Sequence, residues 1–409
     1  MNSSKRKVLF INPNWENLSL ICSYISHDYY VIGFGPSPAF YSLSLESYHP
    51  IYGNINDYQS IFDISNLYDV ESIVSDNCDY SLLVSETMSN LMRKPSLGIN
   101  AAQLSNSKLR QRILAEKAGI KQPMYSYCNS EEDINRFIKL VGKPVLVKPS
   151  DSRGSMGITY LKTSSTSHEI VKSICYCLSA SPSGSCLVEE FIDGDLYTID
   201  GFLLDNSLSL VGVASRERTG EGRTLTREIF YKSSVDKVFL DKCYSFLLDI
   251  ATAFIYTNGH IHCEALLASN GDLYLVECTN RGAGVFTSST INPYVSECDI
   301  NSMFIALKSA NNCFINRTQI STNLANKRDA SLLFPSLGSN GELLERFDLD
   351  SVKSMSLVLD AYLFAKIGRP LPTSVDGPSR HIAIALKTSD KREVDNLMNE
   401  IKSKYVSVL

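Results

Sequence analysis

A chain of 409 residues is too long for one compact core and points to about three packed lobes. Its 44% hydrophobic and 20% charged residues are those of an ordinary globular protein, and a net charge of −5 argues against a general nucleic-acid binder. No apolar stretch is long enough to span a bilayer, and the basic start MNSSKRKVLFINP holds too short an apolar run for a signal peptide.

The eleven cysteines are scattered. Only Cys175 and Cys177 lie close and no CxxC pair exists, so free thiols in a reducing cytoplasm are expected rather than a disulfide framework. Lys7 to Ile11, Tyr29 to Phe34 and Tyr80 to Val84 read as buried strands with helices between them. That alternation predicts a small doubly wound lobe ending near Ala101. The segment SNSKLRQRILAEKAGI then reads as a helix capped by Ser105 or Asn106 and ended by Gly119. Further helices are expected over Glu131 to Val141, closed by Gly142, and over His168 to Ala180. A long one covers Val235 to Tyr256, where Phe239, Cys243, Phe246, Ile250 and Phe254 recur at helical spacing and read as core. After about residue 325, runs such as SLLFPSL and RHIAIALK read as strands before a final charged helix, a lobe without obvious chemistry of its own.

Three blocks carry the chemistry. The first is KPVLVKPSDSRGSMGI, from Lys143 to Ile158. An apolar strand ends at Lys148 and runs into a loop containing Ser152, Arg153, Gly154, Ser155 and Gly157. A positioned ammonium with backbone N–H groups free to approach oxyanions suits phosphate, although a hairpin with a surface lysine has the same composition. The lysine precedes the glycines, unlike the common P-loop. The second block, CLVEEFIDGDLYTIDGFLL from Cys186, places Glu189 and Glu190 before Phe191, Ile192 and Asp195; it can also be an acidic loop. In the third, GHIHCEALLASNGDLYLVECTNRGAGVF from Gly259, two strands are joined at Asn270-Gly271. Glu264 and Glu277 fall on these strands, and paired carboxylates beside a phosphate loop suit Mg²⁺. His260, His262 and Glu264 alternate onto one face. They either support that glutamate and the substrate pocket or form a His₂-carboxylate transition-metal site.

In order and spacing these blocks resemble the ATP-grasp superfamily, and within it the carboxylate–amine ligases, with biotin carboxylase and the L-amino-acid (dipeptide) ligases as relatives. The resemblance runs from about Lys7 to the last strands. It implies an α/β and α+β fold with four parts: an N-terminal doubly wound lobe (1–103), a small lobe with the phosphate loop (104–185), a large lobe with the metal and substrate site (186–320), and a mixed C-terminal lobe (321–409). It implies ATP and one or two Mg²⁺ ions, for which Mn²⁺ can substitute.

The resemblance also assigns roles. Lys148 and Lys108 contact the phosphates, and Ser152, Gly154, Ser155 and Gly157 form a lid over them. Glu189, with Glu190, Phe191 and Ile192, holds adenine, the Glu189 carboxylate accepting from its amino group, and Asp195 takes the ribose. Glu264 and Glu277 bind metal. The third metal ligand of the family is an asparagine two residues after the second glutamate; here Thr279 stands there and the asparagine is displaced to Asn280. Arg281 clamps a carboxyl or acyl-phosphate oxygen, aided by Gly282 and Gly284. Arg216, Arg218, Arg223 and Arg227 are candidates for a substrate carboxylate, Glu228 for an amine, and His262 for the substrate pocket. The implied reaction joins a small carboxylate to an amine, preferably two amino acids, through an acyl phosphate, with ADP and phosphate released. A bicarbonate-activating carboxylase-like enzyme and a non-catalytic nucleotide-binding regulator are the competing readings. No nucleic-acid or membrane partner is expected, and a homodimer is possible.

Overall fold

The structure, a computed structural model, describes residues 5–40, 42–309 and 325–409. In the first lobe, strands β1 (Arg6–Ile11), β2 (Tyr29–Gly35), β3 (Tyr48–Tyr52) and β4 (Ser72–Val74) form a parallel sheet in the order β3-β2-β1-β4. Val8 to Ile11 are buried without alternation, as expected for a parallel strand covered on both faces. Open parallel sheets bind ligands beyond the carboxyl ends of their strands. Beyond β1 lie Asn12 to Glu16, and beyond β4 lie Ser75 to Asp79.

The strand expected at Tyr80 to Val84 is part of a helix, Asp79–Leu91. Its short apolar run is ambiguous by itself; the buried positions Leu82, Ser85, Glu86 and Ser89 follow a helical period, with serines standing where apolar residues would reveal it. A helix over Ile99–Ser105 has no counterpart among the expected elements. It moves the cap of the next helix, Lys108–Lys117, from Ser105 or Asn106 to Ser107, whose side chain accepts from the Arg110 N–H.

The small lobe is the antiparallel sheet of β5 (Tyr125–Tyr127), β6 (Val145–Pro149), β7 (Thr159–Leu161) and β8 (Cys186–Glu190), in the order β5-β8-β6-β7. Helix Glu131–Val141 starts with a capping box at Ser130 and stops at Gly142 in the left-handed region, as expected. Helix Ser167–Ala180 covers the same sheet. The division expected at residue 186 shifts, because β8 hydrogen-bonds along β5 and β6 rather than joining the large lobe.

The remaining strands are β9 (Gly194–Leu204), β10 (Ser207–Thr219), β11 (Leu225–Tyr231), β12 (Gly259–Ala268), β13 (Leu273–Thr279), β14 (Ala330–Leu333), β15 (Leu343–Phe347), β16 (Val358–Leu363), β17 (Arg369–Pro370), β18 (Ile382–Leu386) and β19 (Val406–Val408). Eight of them form one sheet, β13-β12-β9-β10-β11-β14-β18-β16. The C-terminal stretch is therefore not a lobe with its own main sheet: β14, β18 and β16 extend the central one, and only β15, β17 and β19 stand apart. The division expected at 320/321 lies outside the described residues.

One face of the central sheet packs on helix Lys237–Ala253, where Cys243 and Ile250 are buried against Ile199, Ile261, Cys263 and Cys278, with Phe239 and Phe246 half-covered. By strand alternation, the opposite face carries Thr198, Asp200, His262, Glu264, Glu277 and Thr279. Among the described residues no helix is long and apolar enough to cross a membrane.

Candidate active site

Glu264 and Glu277 are direct register partners on β12 and β13. Each carboxylate is held by a cation: Arg216 Nη1 lies 2.6 Å from Glu264 Oε1, and Lys108 Nζ lies 2.8 Å from Glu277 Oε2. Burial raises the pKa of Glu264, but Arg216, His262 and Lys108 outweigh it and hold the carboxyl well below the usual range. His262 Nδ1 sits 2.7 Å from Asp200. Burial opposes its protonation, yet Asp200 pushes its pKa up to about 9, so the ring is cationic at neutral pH.

These residues fit Mg²⁺. The two glutamates are register partners on one face, and the buried Thr279 hydroxyl, on the same face, has no hydrogen-bond partner. Hard oxygens of this kind hold Mg²⁺ together with substrate phosphates. Asn280 lies just past the end of β13, and its Oδ1, like the Thr279 hydroxyl, is buried without a partner. Its amide donates to the carbonyls of Asn258 and His260, and its backbone N–H to Ser105. A His₂-carboxylate site is not formed: His260 packs against Phe202 and Phe304, and no group of three His, Cys, Asp or Glu among the described residues is arranged to hold a metal ion.

The phosphate loop stands opposite. Lys108 Nζ also donates to the Ser152 carbonyl at 2.8 Å, joining the loop to Glu277. Gly157 has φ +76°, and a Cβ there would lie 2.6 Å from Pro149 and 2.7 Å from Ala180, so only glycine closes this turn. Gly154 and Ser155 also have positive φ, and the Ser152 hydroxyl is buried without a partner. Arg153 is placed over Tyr80 and on the Cys78 sulfur.

Lys148 lies 2.7 Å from Glu189 Oε2, and Arg112 donates to both oxygens of the same carboxylate at 2.8 and 3.2 Å. All three are buried. Two cations therefore share one anion, and burial pulls the pKa of Lys148 down to about 8, against the pull of Glu189. This corrects the role expected for Glu189: its carboxylate is engaged by Lys148 and Arg112 and not offered to adenine. Glu190 points the other way, accepting from the Met124 N–H and pairing with Lys143. The Phe191 N–H goes to the Pro144 carbonyl, and the Phe191 ring packs edge-on to Tyr160. Of the expected hinge, Ile192 and the ring of Phe191 remain for a base, with exposed Asp195 at the start of β9.

Arg281 is also committed. Its Nε and Nη2 make a bidentate pair with Asp79 at 2.6 and 2.7 Å, and Nη1 donates to the Gly282 carbonyl. Only its remaining end-on N–H groups are free to reach an oxyanion. The segment after it is held by the first lobe: Asp76 accepts from the Gly282 N–H at 2.7 Å. Gly284 lies against Glu16, whose oxygens would be 3.5 and 3.7 Å from a Cβ there. Burial raises the pKa of Glu16, opposed by Arg153, Arg281 and Arg380.

The polar hairpin contributes less than its sequence implied. Arg216 reaches the centre, with Nε on Thr198 at 2.5 Å. Arg218 is spent on the carbonyls of Arg223 and Gly194. Arg223 pairs at the surface with Asp193, Arg227 is exposed, and Glu228 pairs with Lys391. Arg227 and Glu228 are successive residues of β11 and leave it on opposite faces, with the register shift at Glu217/Arg218 beside them.

Residues 141–289 match the family model of the ATP-grasp domain. The chain carries an ATP-grasp domain, and its fold is the ATP-grasp fold. Alanine–anticapsin ligase of Bacillus amyloliquefaciens is 23% identical over 246 residues, 55% of this chain and 51% of that protein. Among solved structures, the L-amino acid ligase from Bacillus licheniformis superposes with a TM-score of 0.79 at 14% identity, over 99% of this chain and 98% of that one. The biotin carboxylase domain of Hydrogenobacter thermophilus 2-oxoglutarate carboxylase, in complex with MgADP and bicarbonate, gives 0.74 at 15% identity over 98% and 91%. The chain spans about half the length, or less, of the curated relatives it matches.

Proposed function

We propose that this chain is an ATP-dependent carboxylate–amine ligase that joins two small molecules, preferably amino acids, through an acyl phosphate. One observation carries the reading: Lys108 bridges the glycine-serine loop and Glu277, opposite Glu264, so phosphate-binding and metal-binding groups face one another. The ligase names of the relatives above support the substrate class.

In this reading Lys148, Lys108 and the loop N–H groups hold the phosphates, and positioning does most of the work. Glu264, Glu277 and Thr279 would hold Mg²⁺, which offsets charge on the phosphate oxygens when bound. Glu16 receives the ammonium of the amino acid whose carboxylate is activated. The free edge of Arg281, fixed in plane by Asp79, faces the oxyanion that forms when the amine attacks. The loop covers the intermediate and excludes water.

Phosphate release from Mg·ATP, measured against amino-acid pairs with mass spectrometry of the products, tests the proposal. Release that needs both partners, with ADP and a new amide mass, is expected; AMP and pyrophosphate would overturn it. A bicarbonate-activating reading is favoured by the likeness to the biotin carboxylase domain, and phosphate release dependent on bicarbonate alone would select it. Glu277→Gln is expected to raise the Mg²⁺ concentration for half-maximal turnover and to lower kcat by about a hundredfold. A Mg²⁺ titration of both proteins checks this, and an unchanged titration would remove Glu277 from the metal site.

A further inference from the structure

Arg380 lies outside every role assigned above. It follows a turn in which Ser379 N–H and Oγ bond Asp376 Oδ1, and it leads into β18. Its guanidinium carbon stands 3.5 Å from the ring centroid of Phe334, which fixes the plane of the fork. Nη2 donates to the Thr226 carbonyl at 3.2 Å, while the buried Nε–H has no partner. A guanidinium has five donors, and a buried one without an acceptor is costly.

The same turn touches the phosphate loop. The Gly377 N–H donates to the Gly154 carbonyl at 2.8 Å, and a Cβ on Gly377 would lie 3.3 Å from Gly154 Cα. Arg380 is thus anchored three residues from a direct backbone clasp on the lid. The Thr226 carbonyl that Arg380 meets lies on β11, where Thr226 is the register partner of Arg218 and Ile229 that of Arg216, so the guanidinium stands beside the strands that carry Arg216 to the centre. Of the other guanidiniums there, Arg281 is engaged by Asp79, Arg216 by Glu264 and Thr198, Arg218 by carbonyls, and Arg153 by the Cys78 sulfur and the Tyr80 ring.

We propose that Arg380 binds the free carboxylate of the amine-donating substrate. The inference rests on the ligase reading. Of two amino acids joined, the first loses its carboxylate charge to the acyl phosphate. The second keeps its own and needs a cation at the end away from the attacking nitrogen. A planar fork held by Phe334 and Thr226, with donors left on its terminal nitrogens, can take that carboxylate end-on. The clasp to Gly154 then ties occupancy by the second substrate to the covering of the phosphates, so the acyl phosphate is shielded when its acceptor is present.

Arg380→Met keeps the apolar contact with Phe334 and removes the charge. It should raise the KM of the amine substrate roughly ten- to a hundredfold, with the KM values of ATP and of the acid substrate unchanged. Arg380→Lys should restore part of the loss. The wild type should prefer a free amino acid to its methyl ester as amine partner, and Arg380→Met should abolish that preference. A preference kept by the variant, or an equal rise in both substrate KM values, would overturn the assignment. If the wild type forms no amide with any pair, the ligase reading falls and a binding experiment still decides for Arg380. Calorimetry of the Mg·ADP complex with common L-amino acids and their methyl esters should then show weaker binding of the free acids to the variant, and equal binding to both proteins would refute the role.

Discussion

Lys148→Met is expected to lower ATP turnover by about a thousandfold while leaving the fold intact. The split follows from the shared carboxylate. Arg112 keeps its two hydrogen bonds to Glu189 when Lys148 is gone, so no buried anion is stranded. What disappears is a buried ammonium at the root of the phosphate loop. Because burial pulls the pKa of Lys148 down to about 8, the free enzyme also carries a pH signature. Below about 8 the side chain is cationic and binds phosphate; above it the charge is lost. Wild-type kcat/KM for ATP should therefore fall as pH rises through about 8, and the residual activity of the variant should lack that limb. Kinetics across this range, with thermal unfolding of both proteins, provide the check. A variant as active as the wild type would remove Lys148 from the phosphate site.

Glu189→Gln should have the reverse character, with stability lost first. The substitution conserves shape and leaves two buried cations, Arg112 and Lys148, facing a neutral amide. Burial raises the pKa of Glu189, but those two cations hold it below the usual range, so the carboxylate is ionised in the folded protein. Removing one member of a buried charge network costs about 3–5 kcal/mol. Chemical denaturation should show the small lobe opening at lower denaturant. Adding Lys148→Met to Glu189→Gln should return part of the loss, because it removes one stranded cation. A single variant as stable as the wild type would mean that water already solvates this cluster.

The phosphate loop, the paired glutamates and the β12–β13 turn were legible because each is local: a lysine at a strand end, glycines, and an Asn-Gly hairpin. Arg112 also left a local trace. Lys108, Gln111, Arg112 and Ala115 fall at helical spacing on one face, so polar side chains occupy the stripe where apolar ones belong. The pairing of Arg281 with Asp79 left none, since the partners lie 202 residues apart. Glu16, Asp76 and Arg380 are of the same kind, ordinary charged residues until the fold delivers them. The runs SLLFPSL and RHIAIALK were readable as strands, but their joining of the central sheet depends on edge pairing of β14 to β11, which no local pattern encodes. The brace from the Asn280 amide to the His260 carbonyl of β12 left no local trace either, since its partner is 20 residues away.

The eight-stranded sheet and the grip of Asp76 on Gly282 bear on how such a protein can be rebuilt. Residues 141–289 look like a portable cassette, yet Lys108 and Arg112 enter from before it, Asp76 and Asp79 from earlier still, and β14, β18 and β16 seal its sheet from behind. A chimera cut at the edges of that segment would inherit the loop and the glutamates without the cations that hold them. The unit that can be exchanged between relatives runs from β1 past β18 to the final helix, whose Val394, Leu397 and Ile401 share a core with Ile382, Ile384 and Leu386.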